Sequence, residues 1–384
     1  MSHTSPPVSP VSAPISSSSS PASTAADTSI AWADTQRQAA FSTWLAEVAP
    51  AHQLRPETLR LASADASFRR YFRVDTVDGT SRIIMDAPPD KENSEPFVRI
   101  AALMGQAGIR VPDVLTWDAP QGFMLLSDLG NDTMMARIDQ QNPQANQPMY
   151  MQAVDSLLRL QQASKPGVLP EYNEAQLQRE LNLFPDWYLT QHRGVQLDND
   201  SLNTLSTVFS KLVAHNLAAP QVYVHRDFMP RNLMAPTAGS AELGVLDFQD
   251  AVYGPITYDI ASLMRDAFLT WEEDFVLEIT VRYWQQAKKL GLVGAASASG
   301  WGDDFGAFYQ GVEWMGLQRH LKVAGIFARL TLRDGKPKYL ADTPRFIHYI
   351  RSTAGRYRDL IPLMRLVDKI EGTTPTTGFA YGRM

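Results

Sequence analysis

The sequence contains no cysteine and no long apolar segment. Without cysteine, disulfide bonds and thiolate metal sites are excluded. No stretch reaches the roughly 20 apolar residues that a membrane-spanning helix needs, and the N-terminus lacks the apolar core of a secretory signal. We therefore expect a cytoplasmic protein without a membrane partner. The formal net charge of -6 argues against nucleic acid as the main partner.

Two nucleotide-binding signatures are also missing, the P-loop and the glycine-rich G-x-G-x-x-G motif. The remaining composition is ordinary, because 44% hydrophobic and 20% charged residues are typical of a globular protein. A chain of 384 residues is long enough for two domains or for one large two-lobed domain.

The character of the chain changes along its length. Residues 1–29 are almost entirely Ser, Pro, Thr and Ala, which favours disorder because little apolar surface is available for burial. Helical spacing at 34–48 and 94–107 then accompanies strand patterns at 68–77, 81–85, 114–117 and 123–126. Beyond residue 130 helical periodicity dominates, and the segment 303–332 is expected to bend or to contain more than one helix. A small antiparallel sheet is thus followed by a mostly helical part.

Two short segments carry the chemistry, 224–232 (VHRDFMPRN) and 245–248 (VLDF). The first supplies Asp227 and, five residues later, Asn232, and the second supplies Asp247 after an apolar run. Phosphoryl transfer from ATP needs one carboxylate that accepts a hydroxyl proton, and an amide and a carboxylate that hold Mg²⁺. The spacing predicts this reaction class.

These segments resemble the aminoglycoside phosphotransferase family, which shares the protein-kinase fold. Three further strings favour its branch of anomeric N-acetylmuramate/N-acetylglucosamine kinases of bacterial cell-wall recycling: 65–73 (DASFRRYFR), 85–89 (MDAPP) and 318–322 (QRHLK). The resemblance covers residues 35 to 365. It implies an α+β, protein-kinase-like two-lobed fold with these parts: a small antiparallel β N-lobe (30–126), a hinge (127–130), a larger helical C-lobe (131–365) and a C-terminal tail (366–384).

The resemblance also implies roles for the two segments. Asp227 would be the catalytic base, and Asn232 and Asp247 would hold Mg²⁺ on the phosphates of ATP. We expect His225 to be a packed, hydrogen-bonded loop residue and Asp259 to hold the catalytic-loop backbone. Because Asp259 follows Asp247 by only twelve positions, there is little room for an activation loop, which favours a small-molecule kinase over a protein kinase.

The first lobe departs from the kinase pattern, because the returning strand 82–85 (RIIM) has no lysine. The nearest cations are Arg69, Arg70 and Arg82, and each is either a phosphate contact or a solvent-facing strand residue. The predicted contacts with the nucleotide lie at two places: Ser67, Arg69 and Arg70 at the missing glycine-rich turn, and Leu126 and Asp128 at the hinge.

The acceptor pocket is predicted from two segments. Residues 179–188 mix polar and aromatic side chains, as sugar sites do. The segment 310–358 holds ten Lys and Arg against three acidic residues, a net charge of +7, and it either faces an anion or presents solvated helix faces. The predicted contacts with the acceptor are Glu180, Asp186, Arg231, Arg319 and Lys322, of which Arg319 and Lys322 would face a substrate carboxylate.

The implied function is an ATP- and Mg²⁺-dependent kinase, favoured as a monomer, that converts N-acetylmuramate and N-acetylglucosamine into 1-phosphates in peptidoglycan recycling. Two alternatives stay open. A kinase for aminoglycosides or other amino-alcohols is disfavoured by the basic segment, because such acceptors are cations. A nucleotide-binding regulator without catalysis would suit the missing lysine, but the retained Asp227 argues against it.

Overall fold

The computed structural model describes residues 30–373 except 33, 65–67, 238 and 295–299. The predicted tail at 1–29 and Ser67 therefore lie outside the described residues, as do residues 374–384 of the predicted C-terminal tail. None of the helices in the described part is both long and apolar enough to cross a bilayer.

The N-lobe is built on an antiparallel sheet of five strands in the order β1-β2-β3-β5-β4. Its strands are β1 (Leu54–Ala64), β2 (Arg70–Thr76), β3 (Ser81–Asp86), β4 (Val114–Asp118) and β5 (Phe123–Ser127). The four predicted strands are confirmed. The fifth, β1, was not predicted, because two irregularities in its register with β2 interrupt the alternation of side chains that identifies a strand.

Two helices cover the sheet, α1 (Thr35–Val48) and α2 (Glu95–Gln106). The side chain of Asp34 accepts hydrogen bonds from two backbone N–H groups at the start of α1, a cap worth about 1 kcal/mol. Phe41 and Trp44 of α1 pack on Phe72 and Val74 in a core of their own. The α2 face packs on the opposite side of the sheet, in the large core shared with the rest of the chain.

Strand alternation therefore gives the sheet two distinct faces. In β2, Phe72 and Val74 point to α1, whereas Tyr71 and Arg73 point to the C-lobe. In β3, Ile83 pairs with Arg73 on one side and with Leu126 of β5 on the other, and it also lies on the C-lobe side. This side of the sheet forms one wall of the cleft between the lobes.

The C-lobe is mainly helical and confirms the predicted two-lobed α+β fold. Its helices are α3 (Met134–Arg137), α4 (Gln147–Gln162), α5 (Glu174–Leu183), α6 (Asn199–Leu217), α7 (Thr257–Met264), α8 (Glu273–Lys289), α9 (Phe305–Leu332), α10 (Thr343–Arg356) and α11 (Ile361–Glu371). A π-helix, Phe184–His192, follows α5. Leu366 and Val367 of α11 are buried or nearly so, so the helical lobe continues past residue 365, where it was expected to end.

The expectation of more than one helix within 303–332 is wrong, because α9 is one continuous helix of 28 residues. Its glycines serve close packing instead. A Cβ atom on Gly325 would lie 2.3 Å from the carbonyl oxygen of Leu183, at the end of α5. Gly325 therefore lets α9 approach the backbone of the neighbouring helix without a break.

Two short strand pairs carry the chemical segments. They are β6 (Gln221–Val224) with β9 (Val252–Pro255), and β7 (Leu233–Met234) with β8 (Gly244–Val245). Each pair is antiparallel. Asp227 lies in the loop between β6 and β7, and Asp247 follows β8, so the two pairs bring the loops together below the cleft.

Candidate active site

Asn232 links the two aspartates that the sequence singled out. Its amide nitrogen donates to the backbone carbonyl of Asp227 at 2.9 Å and to the carboxylate of Asp247 at 3.3 Å. Gln249 donates to the other carboxylate oxygen of Asp247 at 2.8 Å. The structure thus brings the three predicted residues into one cluster. Because both hydrogen bonds use the amide nitrogen of Asn232, its Oδ1 is the atom that can bind a cation.

His225 links the same two segments through their backbones. The side chain is fully buried, its Nδ1 accepts the N–H of Asp227 at 3.2 Å, and its Nε2 lies 2.9 Å from the carbonyl oxygen of Leu246. Because Nδ1 accepts, the ring proton belongs on Nε2, which donates to Leu246. The prediction of a packed, hydrogen-bonded histidine is confirmed.

Asp259 holds the loop on the other side. It lies at the start of α7, and its two carboxylate oxygens accept the backbone N–H groups of His225 at 2.7 Å and of Arg226 at 3.0 Å. Arg226 has a φ of 78°, a strained conformation for a residue with a side chain. These bonds confirm the predicted role of Asp259 and hold the strained turn that precedes Asp227.

Burial raises the pKa of Asp259 to about 6, although the hydrogen bonds that it accepts from the backbone of His225 and Arg226 act in the opposite direction. The carboxylate therefore bears its charge in a largely unsolvated place. It is stabilised there by the two N–H donors that it positions.

Phe248 fixes the second segment to the N-lobe. Its side chain is fully buried, and its ring centroid lies 4.8 Å from that of Phe97 in α2. Asp247 itself has a φ of 63° and an exposed side chain. An apolar contact thus connects α2 of the N-lobe to the C-lobe loop that carries Asp247.

Asp227 is partly accessible, with 42% of its side chain exposed. Removal of hydration by the surrounding polypeptide raises its pKa, but the charges of Lys322 and Arg319 outweigh this and hold the pKa below its usual value. The nearest of these groups is Arg319 Nη2, 3.8 Å from Asp227 Oδ1. Asp227 is therefore ionised at neutral pH and able to accept a hydrogen bond from a hydroxyl group.

Behind Asp227 lies a buried ionic group formed by Glu180, Arg226 and Lys322. Glu180 pairs with Arg226 at 2.6 Å and with Lys322 at 3.1 Å, and it also accepts the hydroxyl of Tyr172. Burial would raise the pKa of Glu180, but Lys322 and Arg226 lower it below its usual value. Lys322 is only 9% exposed and also donates to the hydroxyl of Tyr258 at 3.2 Å.

Arg319 occupies a separate position between this group and the base. It is 4% exposed, its Nη2 donates to the carbonyl oxygen of Arg226 at 3.3 Å, and its guanidinium carbon lies 5.2 Å from the ring centre of Tyr258. Its Nε is buried and has no partner among the described residues. Of the predicted acceptor contacts, Arg319 is the one that reaches the carboxylate of Asp227.

A cleft of about 670 Å³ opens between the sheet and the catalytic segments. We call it the interlobe cleft. From the N-lobe it is lined by residues that include Tyr71, Arg73, Ile83, Leu126 and Asp128, and from the C-lobe by residues that include Arg231, Asn232, Leu246, Asp247 and Phe268. The predicted Leu126, Asp128 and Arg231 thus lie on the same cleft as the predicted metal ligands.

Arg73 is a cleft residue that the sequence analysis missed. Its guanidinium donates to both carboxylate oxygens of Asp128, at 2.5 and 3.0 Å, to the carbonyl oxygen of Gly130 at 2.8 Å, and to the side chain of Asn131. Ser81 also donates to Asp128 at 2.7 Å. The carboxylate of Asp128, predicted as a nucleotide contact, is therefore bound by the sheet.

Arg69 and Arg70, predicted on the phosphate side, do not line the cleft. Arg70 points to the α1 side, where it pairs with Asp86 at 2.6 Å and stacks on Trp32. Arg69 pairs with Glu92 at 3.1 Å. For Arg70 the cause is strand alternation, because Arg73 and Arg70 are an odd number of residues apart and so face opposite sides of β2. Arg69 precedes the strand.

Asp186, predicted at the acceptor, lies on the exposed side of the π-helix after α5, where the hydroxyl of Thr190 donates to its backbone carbonyl. It forms no ion pair among the residues that the structure describes. The segment 179–188 thus contributes Glu180 to the buried ionic group and leaves Asp186 at the surface.

The cluster of Asn232 and Asp247 fits a magnesium ion. Mg²⁺ prefers hard oxygen ligands and is commonly held by one or two carboxylates together with substrate phosphates and water. Asp247 supplies one exposed carboxylate and Asn232 one amide oxygen beside it. In the described ranges, no three His, Asp or Glu side chains gather into a cage for a metal.

Comparison with known proteins agrees with this geometry. The model of the APH family, described as a phosphotransferase enzyme family, matches residues 58–294. An N-acetylmuramate/N-acetylglucosamine kinase of Neisseria meningitidis serogroup B is 45% identical over 348 residues, which cover 90% of this chain and 100% of the relative. A protein of the same name from Pseudomonas aeruginosa is 46% identical over 81% of this chain and 88% of its own length.

Among solved structures, the amicoumacin kinase hAmiN in complex with AMP-PNP, Ca²⁺ and Ami is similar with a TM-score of 0.56. The likeness covers 80% of this chain and 92% of that chain at 16% identity. At this identity it shows a shared fold, the kinase-like arrangement of two lobes around a cleft.

Proposed function

Since the chain belongs to the APH phosphotransferase enzyme family, we propose that it is an ATP- and Mg²⁺-dependent kinase of N-acetylmuramate and N-acetylglucosamine. In this proposal the phosphate is transferred to the anomeric C1 hydroxyl, and the sugar 1-phosphate serves peptidoglycan recycling in the cytoplasm. Two relatives at 45% and 46% identity over most of the chain carry the name of that kinase, which supports the choice of acceptor over aminoglycosides.

The observation that carries the proposal is the cluster of Asp227, Asn232 and Asp247, of which Asn232 and Asp247 line the interlobe cleft. Asp227 is ionised, partly exposed and restrained by its backbone bond to His225. It would accept a hydrogen bond from the C1 hydroxyl, orient its oxygen toward the γ-phosphorus and take its proton as the P–O bond forms. Catalysis here rests on positioning, and the bonds around Asp227 supply it.

Asn232 and Asp247 are the residues that would hold Mg²⁺, which when bound neutralises charge on the phosphates. Leu126 and the hinge at 127–130 would bind the adenine edge through their backbone groups. The Arg73–Asp128 pair would keep that hinge in place, so Asp128 acts on the nucleotide by positioning the hinge.

We assign the acceptor side to the elements around Asp227. Arg319 lies beside the carboxylate, and the buried group of Glu180, Arg226 and Lys322 forms the wall behind it. In this arrangement Glu180 and Lys322 shape the site from behind, and Arg319 is the cation nearest to the hydroxyl that reacts. Asp186 would meet the acceptor only at the outer end of α5.

A panel of acceptors with ATP and Mg²⁺ tests the proposal. The purified chain should consume ATP with N-acetylmuramate and with N-acetylglucosamine, and not with kanamycin. Turnover of kanamycin alone would replace the sugar-kinase proposal with an antibiotic kinase. No turnover with any acceptor, together with retained nucleotide binding, would favour a binding module.

A further inference from the structure

Arg231 is a basic side chain of the interlobe cleft that forms no ion pair with a described carboxylate, although its charge acts electrostatically on the buried carboxylate of Asp266. Arg231 lies in a short 3-10 turn, next to the proposed metal ligand Asn232, and it lines the cleft. Arg73, the other cation of the described cleft lining, is bound by Asp128. No ion pair of Arg231 with a described carboxylate is present within 4.0 Å.

Other arginines on the sheet or beside it do not line the cleft. Their partners are carboxylates elsewhere in the N-lobe: Asp86 for Arg37 and Arg70, Glu92 for Arg69, Asp75 for Arg60 and Glu57 for Arg55. Arg82 donates to Thr80 and to its neighbour's carbonyl and does not line the cleft. Among the described residues of the sheet that line the cleft, Arg73 is therefore the one cation, and its charge is already paired with Asp128.

A triphosphate brings several negative charges to a cleft that already contains Asp247. Burial of such charge is unfavourable unless opposite charge lies close to it. We propose that Arg231, from the helical lobe, is the cation that contacts the β- and γ-phosphates of the bound nucleotide, in place of a lysine from the sheet. This inference rests on the proposed kinase function and moves Arg231 from the acceptor to the phosphate donor.

The geometry of Arg231 suits this role. Its guanidinium carbon lies 4.5 Å from the ring centre of Phe268, which also lines the cleft. Stacking uses the face of the guanidinium and leaves its N–H edge for hydrogen bonds, the edge that binds phosphate. Phe268 is itself fixed, because its N–H and that of Leu269 donate to the buried Asp266 at 2.5 and 2.9 Å.

A series of nucleotides in calorimetry, without acceptor, tests the proposal on binding alone. The probes are AMP, ADP and AMP-PNP, each with Mg²⁺ and with EDTA. Arg231→Met should lower the affinity for AMP-PNP by about 10-fold to 100-fold, the contribution of one or two charge-assisted hydrogen bonds. The affinity for AMP should stay unchanged. Arg231→Lys should recover part of the affinity. The matched control Arg82→Met removes a charge of the same sign outside the cleft and should change the affinity for neither AMP nor AMP-PNP.

An equal loss for AMP and AMP-PNP, or no loss, would overturn the proposal. Turnover gives a second readout, in which Arg231→Met should lower kcat equally with N-acetylmuramate and with N-acetylglucosamine. A loss confined to N-acetylmuramate would instead place Arg231 at the acceptor carboxylate and would contradict the phosphate role. If the unmutated chain phosphorylates neither sugar, the proposed acceptor fails, while the nucleotide series still decides the role of Arg231.

Discussion

Arg73 of β2 and Asp128 of the hinge are joined by two hydrogen bonds of 2.5 and 3.0 Å, and both residues line the interlobe cleft. The same guanidinium reaches the carbonyl oxygen of Gly130 at 2.8 Å. One arginine from the sheet therefore fixes the segment that connects the two lobes.

Replacement of this arginine tests whether the hinge needs it. Arg73→Met should raise the KM for ATP by about 10-fold, because charge-assisted bonds of roughly 1.5 kcal/mol that order the hinge are lost. The KM for the sugar should stay unchanged. The control is Arg60→Met on β1, whose ion pair with Asp75 is 43% and 35% exposed and so contributes little. Similar KM values for ATP in both variants would contradict a hinge role.

Asp227 and Asp247 should separate catalysis from metal binding. Asp227→Asn should lower kcat by about 10²-fold to 10⁴-fold, the usual contribution of a general base, with unchanged affinity for AMP-PNP. Asp247→Asn should instead remove most of the gain in nucleotide affinity that Mg²⁺ provides. Kinetics with calorimetry on both variants measures this. Near-normal turnover of Asp227→Asn would be incompatible with its role as the base.

Lys322 and Glu180 should be coupled in stability. Lys322→Met leaves the buried Glu180 with one cation fewer. Breaking such a buried pair should lower the free energy of unfolding by about 3 kcal/mol. The double variant Glu180→Gln with Lys322→Met should cost less than the sum of the single variants. Urea unfolding of the four proteins gives the coupling energy. Additive losses would show that the two side chains act independently.

His320 should make stability depend on pH. Burial lowers its pKa from 6.5 to about 3, and its Nε2 lies 3.2 Å from the carbonyl oxygen of Arg265. Between these values the unfolded chain binds a proton that the folded chain does not, so stability falls as the pH drops through 6.5.

Between pH 7.5 and pH 5.5 the titration of His320 should lower the free energy of unfolding by about 1.4 kcal/mol. His320→Gln keeps a donor for the Arg265 carbonyl and lacks the titration. The loss of unfolding free energy over this range should therefore be smaller by that amount in the variant, as measured by urea unfolding at each pH. Identical losses in both proteins would show that His320 is not held neutral.

The C-lobe cluster could be predicted from sequence because its geometry is local. Asp227 and Asn232 belong to one turn, and the β7–β8 pair returns Asp247 to them. The roles of His225 and Asp259 were expected together with the family resemblance. Their backbone bonds at 2.7 to 3.2 Å confirm them.

The N-lobe side was harder, because a strand assigns side chains to faces by single residues. The sequence predicted a cation from the string at 65–73 but named Arg69 and Arg70, whereas Arg73 faces the cleft. Alternation with the buried Phe72 and Val74 was the signal that separates Arg73 from Arg70. The burial of Lys322 against Glu180 joins α9 to α5, 142 positions apart, and no local pattern encodes such a contact.

The position of the transferred phosphate on the sugar decides whether this chain is an anomeric kinase. The unmutated chain is incubated with ATP, Mg²⁺ and either N-acetylmuramate or its C1-reduced alditol, and the products are assigned by NMR through the coupling of phosphorus to the sugar protons. A kinase of the anomeric hydroxyl places phosphate on C1 of the sugar and does not turn over the alditol. Phosphate on C6, or equal turnover of sugar and alditol, would contradict this function.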